Sequence, residues 1–204
     1  MGFYSRVIFP HICDLVMGLP ALAALRGPTL AGVEGAILEI GFGTGRNLPH
    51  YPGHVRKITA IDPNPGMDRR ARARGVAAGI EVDHRSLGGE ALPFDDGSFD
   101  AVVSTFTLCS IPEVDRALAE VHRVLRPGGR FVFLEHGLSD DPKVRAWQRR
   151  LTTIERVLGD GCRLDLDVEA AVRARPYREF EVERFALPGI PGTHGSLYRG
   201  VATR

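Results

Sequence analysis

Three glycines stand between an apolar run and a helical pattern, where the absence of side chains leaves the main chain accessible to a ligand. They are Gly41, Gly43 and Gly45 in "ILEIGFGTG" (37–45). Glycine permits tight turns and positive φ, and it lets a ligand approach the main chain closely. Asp62 ends the next apolar run, 21 residues after Gly41. A carboxylate there can accept two hydrogen bonds from a ribose diol, so the pattern predicts a nucleoside-containing cofactor.

The spacing of the glycines distinguishes two kinds of cofactor. The dinucleotide fingerprint is G-x-G-x-x-G, whereas here the third glycine comes one residue early and Arg46 occupies the fingerprint position. The chain also lacks a Tyr-x-x-x-Lys pair. Both features argue against an NAD-dependent oxidoreductase, which is kept as an alternative.

The remaining reactive side chains are a histidine and three cysteines. His136 follows the apolar run "RFVFLE" (130–135) and is the candidate general base. Cys13, Cys109 and Cys162 form no CxxC pair, and no His, Cys and carboxylate residues stand at metal-ligand spacing. We therefore expect reduced thiols and no metal. A substrate-binding role for Cys109 and Cys162 stays open, although the sequence does not cluster them.

Short apolar runs alternate with helical patterns along the chain, which is typical of a doubly wound α/β sheet. Helices are expected at 112–125 and 141–158, the first from Val114, Leu118, Val121 and Leu125 at spacings of 4, 3 and 4. Strands are expected at 36–40, 57–62, 80–85, 99–104, 130–135, 179–185 and 196–203. The last two lie close together and indicate an antiparallel C-terminal hairpin. The prediction is a Rossmann-like, seven-stranded, mostly parallel sheet.

Composition limits the possible partners. The chain has 204 residues, is 44% hydrophobic and carries a net charge of +1. It therefore has no general excess of positive charge with which to bind nucleic acid.

The apolar stretch 7–25 includes Pro10, Asp14 and Pro20, which argues against a membrane-spanning helix. We expect a helical lid at 1–35, in possible contact with a lipid surface, and one cofactor-binding domain at 36–204. A cytoplasmic location is expected, and the oligomeric state is left open.

Four segments in order resemble the class I S-adenosylmethionine-dependent methyltransferases: "LEIGFGTG", "AIDPNPGM", "LPFDDGSFDAVVS" and "EVHRVLRPGGRFVFLEHG". The likeness covers roughly residues 36 to 138. Within this superfamily the chain is similar to the ubiquinone/menaquinone-type enzymes. "IDPNP", "TLCSI", "LEHG" and "DGCRL" make it more similar still to the methyltransferase-like proteins that include the alkyl thiol methyltransferases.

This resemblance implies a role for each matching residue. Gly41, Gly43 and Gly45 would border the methionine and ribose end of S-adenosylmethionine, with Glu39 near its ammonium group. The other implied positions are Asp62 at the ribose, Pro63 and Asn64 beside the adenine, and Ser104 and Thr105 with carbonyls toward the ammonium. Relatives commonly have an aspartate before "ALPF", where this chain has Gly88. Either Glu90 substitutes for this aspartate, or backbone groups from Gly88 to Glu90 hold the adenine, and Gly89 and Glu90 are the expected contacts.

The sequence thus predicts methyl transfer from S-adenosylmethionine to a small, hydrophobic acceptor such as a thiol, a quinol or a lipid-like molecule. Transfer from a sulfonium asks mainly for alignment and exclusion of water. A base, for which His136 is the candidate, matters only if the acceptor arrives protonated. A catalytically silent domain that binds S-adenosylmethionine and acts through a partner is the alternative from another class.

Overall fold

A computed structural model describes residues 2–204 and contains one seven-stranded sheet. The strands are β1 (Ile37–Ile40), β2 (Lys57–Ile61), β3 (Glu81–Arg85), β4 (Phe99–Thr105), β5 (Leu125–His136), β6 (Glu179–Ala186) and β7 (Ser196–Thr203). Their order is β3-β2-β1-β4-β5-β7-β6. The first five pair in parallel, while β7 runs antiparallel to both β5 and β6. The predicted doubly wound sheet with a C-terminal hairpin is confirmed.

Helices cover both faces of the sheet, which is why its central strands are apolar. The helices are α1 (Phe9–Met17), α2 (Pro20–Leu30), α3 (Asp68–Ala78), α4 (Val114–Val124), α5 (Pro142–Leu158), α6 (Val168–Arg173) and the short α7 (Gly192–Gly195). All four residues of β1 are buried, as expected for a strand covered on both sides. In α4 the buried positions include Val114, Leu118 and Val121, the face predicted from the sequence.

The boundary between α4 and β5 differs from the prediction. The "RPGG" stretch does not separate the two elements as a loop, because α4 ends at Val124 and β5 begins at Leu125. Leu125 pairs with Phe99, and the register shifts before Ala101 pairs with Arg130. The two glycines of this stretch therefore lie within β5, in its irregular first part.

The N-terminal segment lies beside the glycine loop and is joined to it by charge. It consists of a π-helical turn at Tyr4–Ile8 followed by α1 and α2. Asp14 on α1 accepts hydrogen bonds from Thr44 Oγ1 at 2.6 Å and Arg46 Nε at 3.0 Å, and Arg74 Nη1 lies 2.8 Å from it. These bonds hold the pKa of the Asp14 carboxyl well below its usual range, against the opposite effect of burial.

The same segment bears on the question of membrane insertion. Among residues 2–204 no single helix is both long and apolar enough to cross a membrane. Tyr4–Met17 and Pro20–Leu30 satisfy length and composition only as a pair, and the two are bent by 76° at their junction.

Candidate functional site

A pocket of about 880 Å³ opens at the carboxyl end of β1. Since β1 pairs with β2 on one side and β4 on the other, this is the switch point at which open α/β sheets bind ligands. The volume lies in the upper part of the range of about 300–1,000 Å³ for small-molecule sites. The pocket therefore has room for an acceptor beside a cofactor.

The predicted glycines divide into two that line this pocket and one that does not. Gly41 and Gly43 are lining residues, with φ of +67° and +53°. A Cβ on Gly43 would meet no atom closer than the Gly41 carbonyl oxygen at 3.9 Å, so the space above it is open pocket. Gly45 is different, because its added Cβ would stand 2.9 Å from Leu48 Cδ1 and 3.3 Å from Ala71 Cα. Gly45 does not line the pocket, and it allows close packing of the loop on α3; its contact with the cofactor stays a prediction.

Asp62 is buried at the end of β2 and organises the loops on either side of it. Its Oδ2 accepts a hydrogen bond from Gly43 N at 2.7 Å, and its Oδ1 accepts one from Asn64 N at 2.8 Å. Burial raises the pKa of Asp62. Each carboxylate oxygen keeps a further lone pair, so a ribose diol could still bind. Pro63 also lines the pocket.

Asn64 lines the pocket and also attaches the N-terminal segment. Its side-chain amide donates to the Ser5 carbonyl oxygen at 2.7 Å, and its own Oδ1 accepts from Gly66 N at 3.0 Å. Ser5 Oγ in turn donates to Asp160 Oδ2 at 2.7 Å. These bonds join the π-helical turn to the loops after β2 and α5.

Glu39 lines the pocket from β1, with 2% of its surface exposed. It accepts hydrogen bonds from Asn47 Nδ2 at 2.9 Å and Tyr51 Oη at 2.7 Å. Burial raises the pKa of Glu39 to about 7, and the two hydrogen bonds only partly oppose this effect. With Asp62, it gives the pocket two buried carboxyl groups that a cationic ligand would stabilise in the charged form.

Arg26 on α2 is a pocket residue that sequence reasoning missed. It is 3% exposed, and its Nη1 donates to Asn47 Oδ1 at 2.6 Å and to Thr105 Oγ1 at 3.1 Å. Its buried Nε has no hydrogen-bond partner within residues 2–204. An arginine inside the apolar stretch "PALAALRGPTL" was the available signal. A buried guanidinium with a free donor suits a carboxylate ligand.

The remaining predicted contacts lie on the loop after β3 and at the end of β4. Gly89 and Glu90 line the pocket, together with Gly88. Thr105 lines it too, whereas Ser104 is fully buried and donates from Oγ to Glu135 Oε1 at 2.6 Å. Ser104 is therefore absent from the residues that line the pocket, and the structure gives its side chain a packing role.

Three side chains that are far apart in the sequence meet at the other end of the pocket. Cys109 lies in the 3₁₀ turn Leu108–Ser110, His136 ends β5, and Cys162 follows α5. His136 Nε2 lies 3.1 Å from Cys162 Sγ, and Cys162 Sγ lies 3.6 Å from Cys109 Sγ. The sequence does not cluster these side chains, but the fold brings together what the linear spacing separates.

Glu135 fixes the turn that carries Cys109. This fully buried carboxylate accepts hydrogen bonds from Thr107 N at 2.8 Å and Leu108 N at 3.2 Å. Burial raises the pKa of Glu135 to about 8. Between β4 and this turn Phe106 has φ of +55°, a strained conformation for a bulky residue that is found at functional sites.

The electrostatics of the cluster change the expected behaviour of His136. The hydrogen bond from Cys162 holds the pKa of the Cys109 thiol well below its usual range, against burial and with the help of His136. Burial alone would lower the pKa of His136, but the charge of Cys109 outweighs it and raises that pKa to about 9. His136 therefore carries a proton near neutral pH and is suited to stabilise an anion, whereas a general base has to be neutral.

Apolar side chains from the N-terminal segment complete the wall. Phe9, Ile12, Val16 and Met17 line the pocket, and Leu187 and Ile190 face it from the C-terminal part of the chain. Trp147 and Ile154 on α5 are apolar as well, but they are 55% and 58% exposed and do not line the pocket. The loop 159–162 contributes instead.

Comparison with known proteins shows that the chain is similar to methyltransferases. Residues 38–133 match the family model described as a methyltransferase domain. The thiol S-methyltransferase TMT1A of Homo sapiens is 35% identical over 78% of this chain and 67% of its own length. A phosphatidylethanolamine N-methyltransferase of Cereibacter sphaeroides is 36% identical over 61% of this chain and 62% of its own length. The chain thus spans about two thirds of these relatives.

A solved structure shows the same fold. The S-adenosylmethionine-dependent methyltransferase from Thermotoga maritima, described as a possible histamine N-methyltransferase, superposes with a TM-score of 0.69 at 23% identity. The superposition covers 98% of this chain and 97% of the other.

Proposed function

The chain belongs to the class I S-adenosylmethionine-dependent methyltransferases, and from this premise we propose that it methylates the sulfur of a small hydrophobic thiol. The observation that carries the proposal is the cluster of Cys109, His136 and Cys162 at the acceptor end of the pocket. Apolar side chains of the N-terminal segment line the same pocket, and so does Glu155. The similarity to a thiol S-methyltransferase points the same way.

We propose that the opposite end of the pocket holds the cofactor. Asp62 would accept hydrogen bonds from the ribose, and Gly43 would leave space for the main chain of the loop to approach it. The unpartnered Nε of Arg26 would meet the carboxylate of the methionine part, while Glu39 would face its ammonium group. S-adenosylmethionine supplies an activated methyl group when it is bound here.

His136 is proposed to stabilise the acceptor as a thiolate. A free thiol has a pKa of about 8.5 and is mostly protonated at neutral pH, yet the thiolate is the nucleophile. A cationic neighbour inside an apolar pocket favours the thiolate, since the low local dielectric strengthens the attraction. An alcohol has a much higher pKa and would remain protonated at the same place.

The test is a series of three acceptors that share one alkyl chain and end in –SH, –OH or –NH₂. Each is incubated with the purified protein and trideuteromethyl S-adenosylmethionine, and the products are identified by mass. We expect the thioether and no detectable ether or methylamine. A quinol and phosphatidylethanolamine are included because of the similarity to a phospholipid enzyme. Preferred methylation of the amine, the quinol or the phospholipid would refute the thiol assignment.

His136→Ala provides the accompanying variant. Turnover of the thiol is expected to fall by about 10²–10⁴-fold, the usual range for one proton-transfer or charge-stabilising group. S-adenosylmethionine affinity should be unchanged, because His136 lies at the acceptor end. An equal loss of cofactor affinity would show that the variant damages the pocket as a whole.

The apolar acceptor also gives a reason for the exposed side chains of the N-terminal segment. Phe3, Ile12 and Leu15 are 73%, 44% and 74% exposed, although Ile12 also lines the pocket. Contact of this segment with a lipid surface stays a prediction, which sedimentation with phospholipid vesicles would test.

A further inference from the structure

The cluster at the acceptor end has the composition of a metal site. Cys109 Sγ, His136 and Cys162 Sγ present three ligand atoms that lie within 4.8 Å of one another. All three residues line the pocket. Two sulfur ligands and one imidazole suit zinc, whereas magnesium and calcium prefer oxygen.

The separations fit a tetrahedral ion. Zn–S bonds of about 2.3 Å at tetrahedral angles place two sulfur atoms about 3.8 Å apart, and a Zn–N bond of about 2.0 Å places nitrogen and sulfur about 3.5 Å apart. The observed distances are 3.6 Å between the sulfur atoms and 3.1 Å from His136 Nε2 to Cys162 Sγ. The side chains would have to move by only about 0.2–0.4 Å for these pairs.

The backbone holds the two cysteines in place without help from an ion. Arg163 N donates to the Cys109 carbonyl oxygen at 2.9 Å, which joins the loop after α5 to the 3₁₀ turn. Gly161 has φ of +103°, and a Cβ there would stand 3.2 Å from the Ser110 carbonyl oxygen. The loop therefore depends on glycine to come this close, and the sulfur atoms meet because the two main chains are docked.

We propose that Cys109, His136 and Cys162 bind one zinc ion, and that its fourth position receives the sulfur of the acceptor. Three protein ligands with one open position are the arrangement of catalytic zinc sites, whereas structural sites have four protein ligands. The identity of the acceptor rests on the thiol proposed above. Zinc takes the place of the proton on His136, which coordinates as a neutral imidazole, so the ion supplies the positive charge that is assigned above to protonated His136.

The chemistry of the step is balanced. A thiol that coordinates zinc is deprotonated, and its proton passes to solvent. Its sulfur then forms a bond to the methyl carbon as the sulfonium–methyl bond of S-adenosylmethionine breaks. S-adenosylhomocysteine keeps the electron pair of that bond, so its sulfur leaves as an uncharged thioether. The product is a neutral thioether, a weaker ligand than a thiolate, so it can dissociate and free the fourth position.

Metal content is the first test. The full chain is kept reduced with a phosphine, stripped with a chelator and titrated with Zn²⁺ and with Co²⁺. We expect one ion per chain and, for Co²⁺, the thiolate-to-metal charge-transfer band and intense visible bands of a tetrahedral site. Cys109→Ser and Cys162→Ser should weaken binding by more than the roughly 10–100-fold typical of changes outside the ligand set.

Matched controls are available in the same chain. Cys13→Ser removes the third cysteine, and His54→Gln removes an exposed histidine; both should keep one ion per chain. Should the two ligand variants fail to fold, the wild-type Co²⁺ spectrum still decides the question. A wild-type spectrum without thiolate charge transfer, or full binding in a folded ligand variant, overturns the site.

The second test places the acceptor on the ion. Adding the alkyl thiol to the Co²⁺-loaded protein with S-adenosylhomocysteine should shift the visible bands, and the matched alcohol should not. Metal-free protein that methylates the thiol at full rate overturns the acceptor's place on the ion and leaves the proposed function intact. Protein that binds one ion through the three side chains but methylates only the amine or the quinol overturns the proposed function and the thiol's place on the ion.

Discussion

Replacing Gly43 by alanine distinguishes what the cofactor requires from what the backbone requires. The added methyl group would meet no protein atom closer than 3.9 Å. In the free protein the substitution therefore costs only the backbone strain of a non-glycine residue at positive φ. A non-glycine residue in the left-handed region costs about 1–2 kcal/mol. For a chain of this length that corresponds to a fall in Tm of about 2–8 °C.

Gly79 offers the matched control. It ends α3 with φ of +65°, is exposed, and has no atom within 4 Å of an added Cβ. It does not line the pocket. Gly79→Ala should therefore carry the same cost in the backbone and no cost in the binding of a ligand.

The expected loss of cofactor affinity in Gly43→Ala follows from crowding. A methyl group forced against a packed neighbour typically costs about 1–3 kcal/mol, which corresponds to about 5–150-fold in Kd. We expect Gly43→Ala to weaken S-adenosylmethionine and S-adenosylhomocysteine by this factor in isothermal titration, and Gly79→Ala to bind both like the wild type. Scanning fluorimetry should show similar losses of Tm in the two variants.

Two results would refute this reasoning. Wild-type affinity in Gly43→Ala would mean that the cofactor does not lie against this residue. Equal losses of affinity in both variants would mean that the weakening comes from lower stability.

Three further predictions concern the cofactor end and the lid. Arg26→Met should weaken S-adenosylmethionine by about 1.5–3 kcal/mol, the scale for a hydrogen bond to a charged group; 5′-methylthioadenosine, which lacks the carboxylate, should bind the variant and the wild type equally, and equal losses for both ligands would contradict the assignment. Burial raises the pKa of Glu39 to about 7 in the free protein, and a cationic ligand favours the ionised form, so affinity should rise about tenfold per pH unit up to that pH and level off above it. At pH 6, calorimetry in buffers of different ionisation enthalpy should show that S-adenosylmethionine binding releases a proton from Glu39. If the affinity of Glu39→Gln keeps the same pH dependence, Glu39 is not its cause. Asp14→Asn should speed proteolytic cleavage within residues 1–35, since Thr44 and two arginines would lose their carboxylate; an unchanged cleavage rate would show that this contact does not hold the lid.

The strands of the sheet and its C-terminal hairpin were predictable because these elements have local signals. Buried parallel strands produce short apolar runs, and the alternation in "EFEVERF" (179–185) is typical of a half-exposed strand. The start of β5 was not predictable, since "RPGG" is typical of a loop. Pairing of Leu125 with Phe99 is a contact between distant segments that no local pattern encodes.

The part of the pocket that is proposed to hold the cofactor was largely predictable for the same reason. Gly41, Gly43 and Asp62 occur in compact motifs, and all three line the pocket. Gly45 belongs to the same motif, yet it packs on α3, because a glycine is needed equally for a ligand and for close packing of the chain. Sequence alone does not distinguish these two uses.

The part of the pocket that is proposed to hold the acceptor was not predictable from the sequence. Cys109, His136 and Cys162 are separated by 27 and 26 residues, and they meet only because a 3₁₀ turn, a strand end and a loop after α5 converge. Arg26 was missed because it lies outside every motif, in a helix that the sequence assigned only to the lid. Such sites depend on tertiary packing and require the structure.

One pocket is expected to present the methyl donor to an acceptor held at the cysteine and histidine cluster. A crystal structure of the protein with S-adenosylhomocysteine tests this most directly. The ribose hydroxyls should lie within hydrogen-bond distance of Asp62, the methionine carboxylate should reach Arg26, and the sulfur atom should point toward His136. A cofactor whose sulfur points away from Cys109, His136 and Cys162, or whose ribose does not meet Asp62, would contradict the proposed direction of transfer.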